Sequence, residues 1–78
     1  MIQVYTLPFC PSCLAAKQFL NSKKQTFKEI NINDTNISRD ELYNLTGGRT
    51  VPQILIDNKT IGGFDSLLAL DQSGKLPF

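Results

Sequence analysis

The sequence predicts a single α/β domain over residues 1–78, with elements in the order β-α-β-α-β-β-α. Three observations predict it. Two alternating runs, Ile2-Gln3-Val4-Tyr5-Thr6 and Phe27-Lys28-Glu29-Ile30-Asn31-Ile32, flank a stretch of helical periodicity. A Ser-x-x-Glu word, Ser38-Arg39-Asp40-Glu41, opens a second helical stretch. An apolar run, Gln53-Ile54-Leu55-Ile56, leads through the turn residues Asp57-Asn58-Lys59 into a return strand at Thr60-Ile61, which makes a hairpin. A strand, a helix and a strand within about thirty residues imply parallel strands joined by a right-handed crossover.

The first strand is short and rich in β-formers, and Leu7-Pro8 ends it. The word Thr6-Leu7-Pro8-Phe9-Cys10-Pro11-Ser12-Cys13 follows, and it holds the only two cysteines of the chain. Pro11 suits the first helical position, where a missing N–H costs nothing. Cys10 then falls at the helix N-cap, beside unpaired N–H groups and the positive end of the dipole, a setting that stabilises a thiolate. Residues three apart on a helical turn share a face, so Cys10 and Cys13 meet the separation a disulfide needs. Cys10 is the expected exposed nucleophile and Cys13 the resolving thiol turned toward the helix body.

Two structural readings compete with redox chemistry at this pair. A closed zinc site needs four Cys or His ligands, and the chain has two Cys and no His. A disulfide closing so short a loop would constrain the unfolded chain little. A Cys-x-x-Cys at a strand–helix junction therefore reads as a thiol–disulfide site.

The first helix runs from Pro11 to about Lys23, with Ala16, Phe19 and Leu20 on one face and Lys23 and Lys24 at the end that favours cations. Asn33 to Ile37 is a polar loop. Ser38 and Glu41 form a capping box, and the helix they open runs from Arg39 to Thr46, with Leu42 and Leu45 inward and Gly47-Gly48 as its stop. Val51 is pushed to an extended conformation by Pro52. A proline opening a buried strand has two explanations from local sequence, an ordinary trans start or a cis bond that leaves the neighbouring backbone free to pair with an extended ligand. Gly62-Gly63 permits close backbone approach. Asp65 or Ser66 caps a last helix from about Ser66 to Gln72, closed by Ser73-Gly74. A helix start behind two glycines also suits an anionic ligand.

Composition narrows the function classes. The chain carries a net charge of +1 and no basic cluster beyond Lys23-Lys24, so nothing points to nucleic acid. No apolar run approaches the length of a membrane span. The chain enters a strand pattern at Ile2 without the build of a signal peptide, and a lone Cys-x-x-Cys fits a reducing, cytoplasm-like compartment. A core drawn from 41% hydrophobic residues must be efficient in a domain this small.

With these words in place, almost the whole chain resembles a glutaredoxin, a small bacterial-type dithiol member of the thioredoxin-fold superfamily. Cys10-Pro11-Ser12-Cys13, Thr50-Val51-Pro52 and Gly62-Gly63-Phe64-Asp65 carry the resemblance, supported by Val4-Tyr5-Thr6, Pro52-Gln53-Ile54-Leu55-Ile56-Asp57 and Leu68-Ala69-Leu70-Asp71. The resemblance implies a thioredoxin-like fold, a four-stranded mixed sheet flanked by three helices, and a cis Pro52. It implies a glutathione-dependent thiol–disulfide oxidoreductase with Cys10 and Cys13 as catalytic residues and glutathione as reductant, serving redox homeostasis. The implied glutathione-binding residues are Arg49, Thr50, Val51, Pro52, Gly63, Phe64 and Asp65. Val51 would pair its backbone with the glutathione cysteine. Asp65, with the Phe64 backbone, would hold the γ-glutamyl end, and Arg49 is a candidate for the glycine carboxylate.

Two departures stand out. The family usually carries lysine at the position of Leu7 and tyrosine at that of Ser12, so this chain lacks a cation and an aromatic wall at the site mouth. The chain also ends soon after its last helix, at Pro77-Phe78. The resemblance implies disulfide-containing client proteins such as ribonucleotide reductase, and a monomer. Two alternatives accompany it: a [2Fe–2S] carrier in which Cys10 and glutathione ligate a cluster between two protomers, and a glutaredoxin-like protein reduced by a thioredoxin-reductase-type flavoenzyme.

Overall fold

The computed structural model describes residues 1–78. Strand β1 (Ile2–Thr6) leads into helix α1 (Pro11–Ser22), strand β2 (Lys28–Asn31) and helix α2 (Arg39–Thr46); strands β3 (Gln53–Ile56) and β4 (Lys59–Gly62) and helix α3 (Phe64–Gln72) complete the chain. The four strands form one sheet in the order β2-β1-β3-β4. β1 runs parallel to β2, with Val4 opposite Glu29, and antiparallel to β3, with Val4 opposite Ile54. β3 and β4 are antiparallel, with a register shift between Ile54 and Leu55. The mixed sheet with three helices is the architecture expected from the sequence. The Val51–Pro52 peptide is cis, which resolves the two explanations left open for Pro52.

Strand alternation divides the core in two. On one face Ile2, Val4, Ile54 and Ile56 pack with Ala16 and Leu20 of α1 and Leu67 of α3. On the other, Tyr5 and Leu55 pack with Ile32 and Leu42, under α2. β3 is buried along its whole length because it lies between two strands and under helices from both sides. The hairpin after it turns through Asp57 (φ 51°) and Asn58 (φ 66°), residue types that tolerate left-handed backbone.

Several boundaries differ from expectation. β2 is two residues shorter than the alternating run, with Phe27 and Ile32 flanking it; Ile32 N still donates to Thr6 O at 2.9 Å. In α2 the capping box forms as expected, and Gly47 ends the helix at φ 83°. Leu45 does not face inward, however, and is 49% exposed. Thr46 is buried in its place. Its hydroxyl donates to Leu42 O at 2.8 Å and accepts from Gly48 N at 3.2 Å, so the polar group enters the core without an unmet hydrogen bond. Helix α3 begins earlier than the polar residues suggested. Gly63 is its N-cap, and no side chain caps it, so neither Asp65 nor Ser66 plays that part. Gly62, just before the cap, sits at φ 111°, a backbone conformation that glycine adopts freely.

Candidate active site

The site gathers at the ends of β1 and β3 and the starts of α1 and α3. Cys10 is the N-cap of α1, and its Sγ accepts from Cys13 N at 3.1 Å. Pro11 occupies the first helical turn, where its missing N–H leaves no bond unmade. Cys10 and Cys13 form a disulfide with Cα atoms 5.2 Å apart. Their surroundings differ as expected: Cys10 is half-buried at the surface, and Cys13 is only 2% exposed. Only one of the two sulfurs is open to an incoming group.

Cys10 Sγ lies 3.9 Å from Val51 O. That contact joins α1 to the loop entering β3. Beside it opens a groove of about 300 Å³, lined by Ser12, Thr50, Val51, Pro52, Gly63, Phe64, Asp65 and Ser66. Six of the seven sequence-predicted binding residues therefore meet on one surface next to the dithiol. Asp65 stands exposed in the first turn of α3, near the positive end of that helix.

Arg49 is the predicted residue that the groove does not include. Its guanidinium stacks over the Tyr43 ring at 4.4 Å and pairs with Asp40, Nε to Oδ1, at 3.5 Å. Its carbonyl accepts from Arg39 Nη1 at 2.6 Å. Sequence reading also missed Ser66 as a lining residue, because it was read as a capping residue.

A second polar group lies on the other side of the cysteines. Glu29 Oε2 accepts from Thr6 Oγ1 at 2.8 Å and from Lys17 Nζ at 3.0 Å, linking β2, β1 and α1. The Lys17 hydrogen bond, followed by that from Thr6, holds the Glu29 carboxyl below its ordinary value. Lys17 follows Cys13 by one helical turn, a spacing that could have flagged it. No group of three or more His, Cys, Asp or Glu side chains converges anywhere in the chain. Among its cysteines only Cys10 is accessible, so a cluster would need most of its ligands from outside this chain.

A dithiol at a strand–helix junction, with one sulfur at a helix N-terminus and the other buried, defines a thiol–disulfide oxidoreductase of thioredoxin-like fold. The glutaredoxin family model matches residues 2–61. Glutaredoxin 3 of Escherichia coli is 44% identical over 75 residues, covering 96% of this chain and 90% of that protein. A glutaredoxin of Pseudomonas aeruginosa is 43% identical over 75 residues, covering 96% and 89%. Among solved structures, the buckwheat glutaredoxin–glutathione complex superposes with a TM-score of 0.87 at 29% identity, covering 96% of this chain and 71% of that one. Glutaredoxin from Brucella melitensis gives 0.79 at 40% identity, covering 95% and 80%. The chain belongs to the glutaredoxin family.

Proposed function

We propose that this chain is a glutathione-dependent oxidoreductase that reduces protein disulfides and glutathione mixed disulfides in a reducing, cytoplasm-like compartment. The observation that carries the reading is the groove from Ser12 to Asp65, which opens within reach of the only accessible sulfur. In the first step the Cys10 thiolate attacks a disulfide sulfur of the client. An S–S bond to Cys10 forms, the client S–S bond breaks, and the departing sulfur leaves with the electron pair and takes a proton from water. Cys13 then loses its proton and attacks Cys10 Sγ, which frees the second client sulfur as a thiolate and closes the Cys10–Cys13 disulfide.

Reduction runs the chemistry in the other direction. One glutathione thiolate attacks Cys10 Sγ, which leaves a glutathione mixed disulfide and a Cys13 thiol. A second attacks the glutathione sulfur, forming oxidised glutathione and regenerating the Cys10 thiolate. The N–H hydrogen bond from Cys13 favours that thiolate as a leaving group. In the mixed disulfide the extended backbone of Val51 pairs with the glutathione cysteine, as an added strand edge would. Asp65 and the Phe64 N–H hold the γ-glutamyl amine and carboxylate, the latter aided by the start of α3. Ribonucleotide reductase is one client of this chemistry.

Leu7 and Ser12 supply neither a cation nor an aromatic wall, which weakens glutathione binding at a water-exposed rim without abolishing it. Turnover coupled to glutathione and glutathione reductase, with a raised KM, is the expected result. Asp65→Ala raises KM again and leaves direct reduction by dithiothreitol unchanged. Turnover with thioredoxin reductase but not with glutathione would show that the reductant has been misassigned.

A further inference from the structure

The surface around the dithiol is poor in positive charge. Two grooves flank the cysteines. The groove from Ser12 to Ser66 holds a single charged side chain, Asp65, which forms no ion pair within the chain. The second, of about 430 Å³, is lined by Cys10 and Cys13 themselves and has Leu7 in its wall. Its two charged residues, Lys17 and Glu29, pair at 3.0 Å and cancel. The only two arginines of the chain are engaged outside both grooves. Arg49 lies over the Tyr43 ring and pairs with Asp40 at 3.5 Å. Arg39 gives Nη1 to the Arg49 carbonyl at 2.6 Å and lines a third groove, of which Leu7 is also a wall.

The field at the dithiol therefore favours an ammonium group and does nothing for a carboxylate. With the γ-glutamyl end of a thiol at Asp65 and its sulfur at Cys10, the glycine end leaves past Leu7, where no unpaired cation stands. A carboxylate there stays in water, and replacing it by an uncharged amide costs the complex little. We infer that Leu7 sets the specificity of the site: γ-glutamyl-cysteinyl thiols whose glycine carboxylate is capped as an amide serve as reductants as readily as glutathione does. This rests on the glutathione-dependent reading above and extends it to a second class of substrate. One amidated thiolate attacks Cys10 Sγ, the Cys10–Cys13 bond breaks, and Cys13 departs as a thiolate that takes a proton from water. A second attacks the thiol-derived sulfur of the mixed disulfide, which gives the symmetric disulfide of the amidated thiol and the Cys10 thiolate.

The test mixes the oxidised full chain with excess thiol at low ionic strength, where exposed charges are least screened. The reaction is stopped in acid, and freed cysteines are counted by alkylation and mass. The probes are glutathione, glutathione amide and N-acetylglutathione, with 2-mercaptoethanol as a thiol that carries neither end. Each rate is divided by that thiol's direct rate with hydroxyethyl disulfide, which removes differences in intrinsic reactivity. Wild type is expected to treat glutathione and its amide alike, to within about twofold. N-acetylglutathione, which has lost the amine that meets Asp65, reacts about fivefold more slowly, the worth of one exposed ion pair. Leu7→Lys shifts the ratio of the first two thiols toward glutathione by about three- to fivefold, whereas Leu7→Gln adds no charge and leaves it within about twofold. A change in Cys10 reactivity cancels from that ratio. A larger wild-type preference for glutathione overturns the inference, and its loss in Arg39→Ala assigns the carboxylate to that arginine instead. An unchanged ratio in Leu7→Lys overturns it as well. Glutathione outrunning 2-mercaptoethanol while the amide does not sinks this inference alone. No advantage of any of the three over 2-mercaptoethanol overturns the glutathione reading with it.

Discussion

Arg39 Nη1 donates to the carbonyl of Arg49 at 2.6 Å, which ties the first turn of α2 to the loop that delivers Val51 beside Cys10. The same loop is also held where Thr46 Oγ1 accepts from Gly48 N at 3.2 Å and where Gln53 Nε2 donates to Thr50 Oγ1 at 3.5 Å. The Arg49 side chain leans back on Tyr43 and Asp40 of the same helix, so α2 holds this segment by both its main chain and its side chain.

Arg39→Ala is expected to loosen the Val51 backbone edge without touching the cysteines. An exposed charge-assisted contact is worth at most about 1 kcal/mol, so KM for glutathione rises about two- to fivefold. The rate with dithiothreitol, which needs no groove, stays the same. Steady-state kinetics with the two reductants checks this, and Arg39→Lys restores part of the loss. An equal fall with both reductants would mean a general structural defect.

The two cysteines are predicted to be unequal in function as they are in exposure. Cys10→Ser abolishes activity on a glutathionylated peptide. Cys13→Ser retains turnover there, because glutathione resolves the mixed disulfide, and loses most reduction of intramolecular protein disulfides. Retained activity in the first variant, measured by release of free peptide, would reverse the assignment.

Leu7 lines the groove that also holds Cys10. A cation placed there favours the thiolate, so Leu7→Lys is expected to lower the midpoint of the iodoacetamide alkylation profile by roughly one unit or less. An unmoved midpoint would show that the side chain points away from the sulfur.

Glu29 supplies a pH-dependent contribution to stability. Lys17 and Thr6 lower its pKa in the folded chain, so the unfolded chain binds the proton more tightly. Its contribution is therefore complete above the unfolded value and is lost as pH falls through the folded one. Its side chain is 40% exposed, which limits the effect to under about 1 kcal/mol. Urea unfolding should find Glu29→Gln less stable than wild type at neutral pH, with the gap closing in acid. A constant gap would locate the effect in packing.

What could be read in the sequence was whatever had a local cause. Pro11 behind Cys10, the reciprocal bonds of Ser38 and Glu41, and Gly47 at a helix end depend on neighbours in the chain, and all form as read. The unbroken apolar character of Ile54, Leu55 and Ile56 also marked a strand covered on both faces. Misreadings arose where tertiary context chose between local options. Leu45 looked like a core residue, yet Thr46 went inside because the helix end and Gly48 satisfied its hydroxyl. Asp65 is a good cap, but Gly63 starts α3 first. The Arg39 bond to Arg49 crosses from a helix start to a loop, and no periodicity encodes it.

The register of β1 has a consequence for the newly made chain. Ile2 pairs with Ile56 and Tyr5 with Gln53, so the first strand waits for one of its two neighbours until most of the protein has been synthesised. The cysteines, three residues apart, wait for nothing. A ribosome-bound chain that has emerged only as far as β2 already carries its complete dithiol, but not the segments holding Val51 and Asp65. Chemical reactivity thus arrives before the means of choosing a partner, and a chain stalled or clipped at that stage is a thiol without an address.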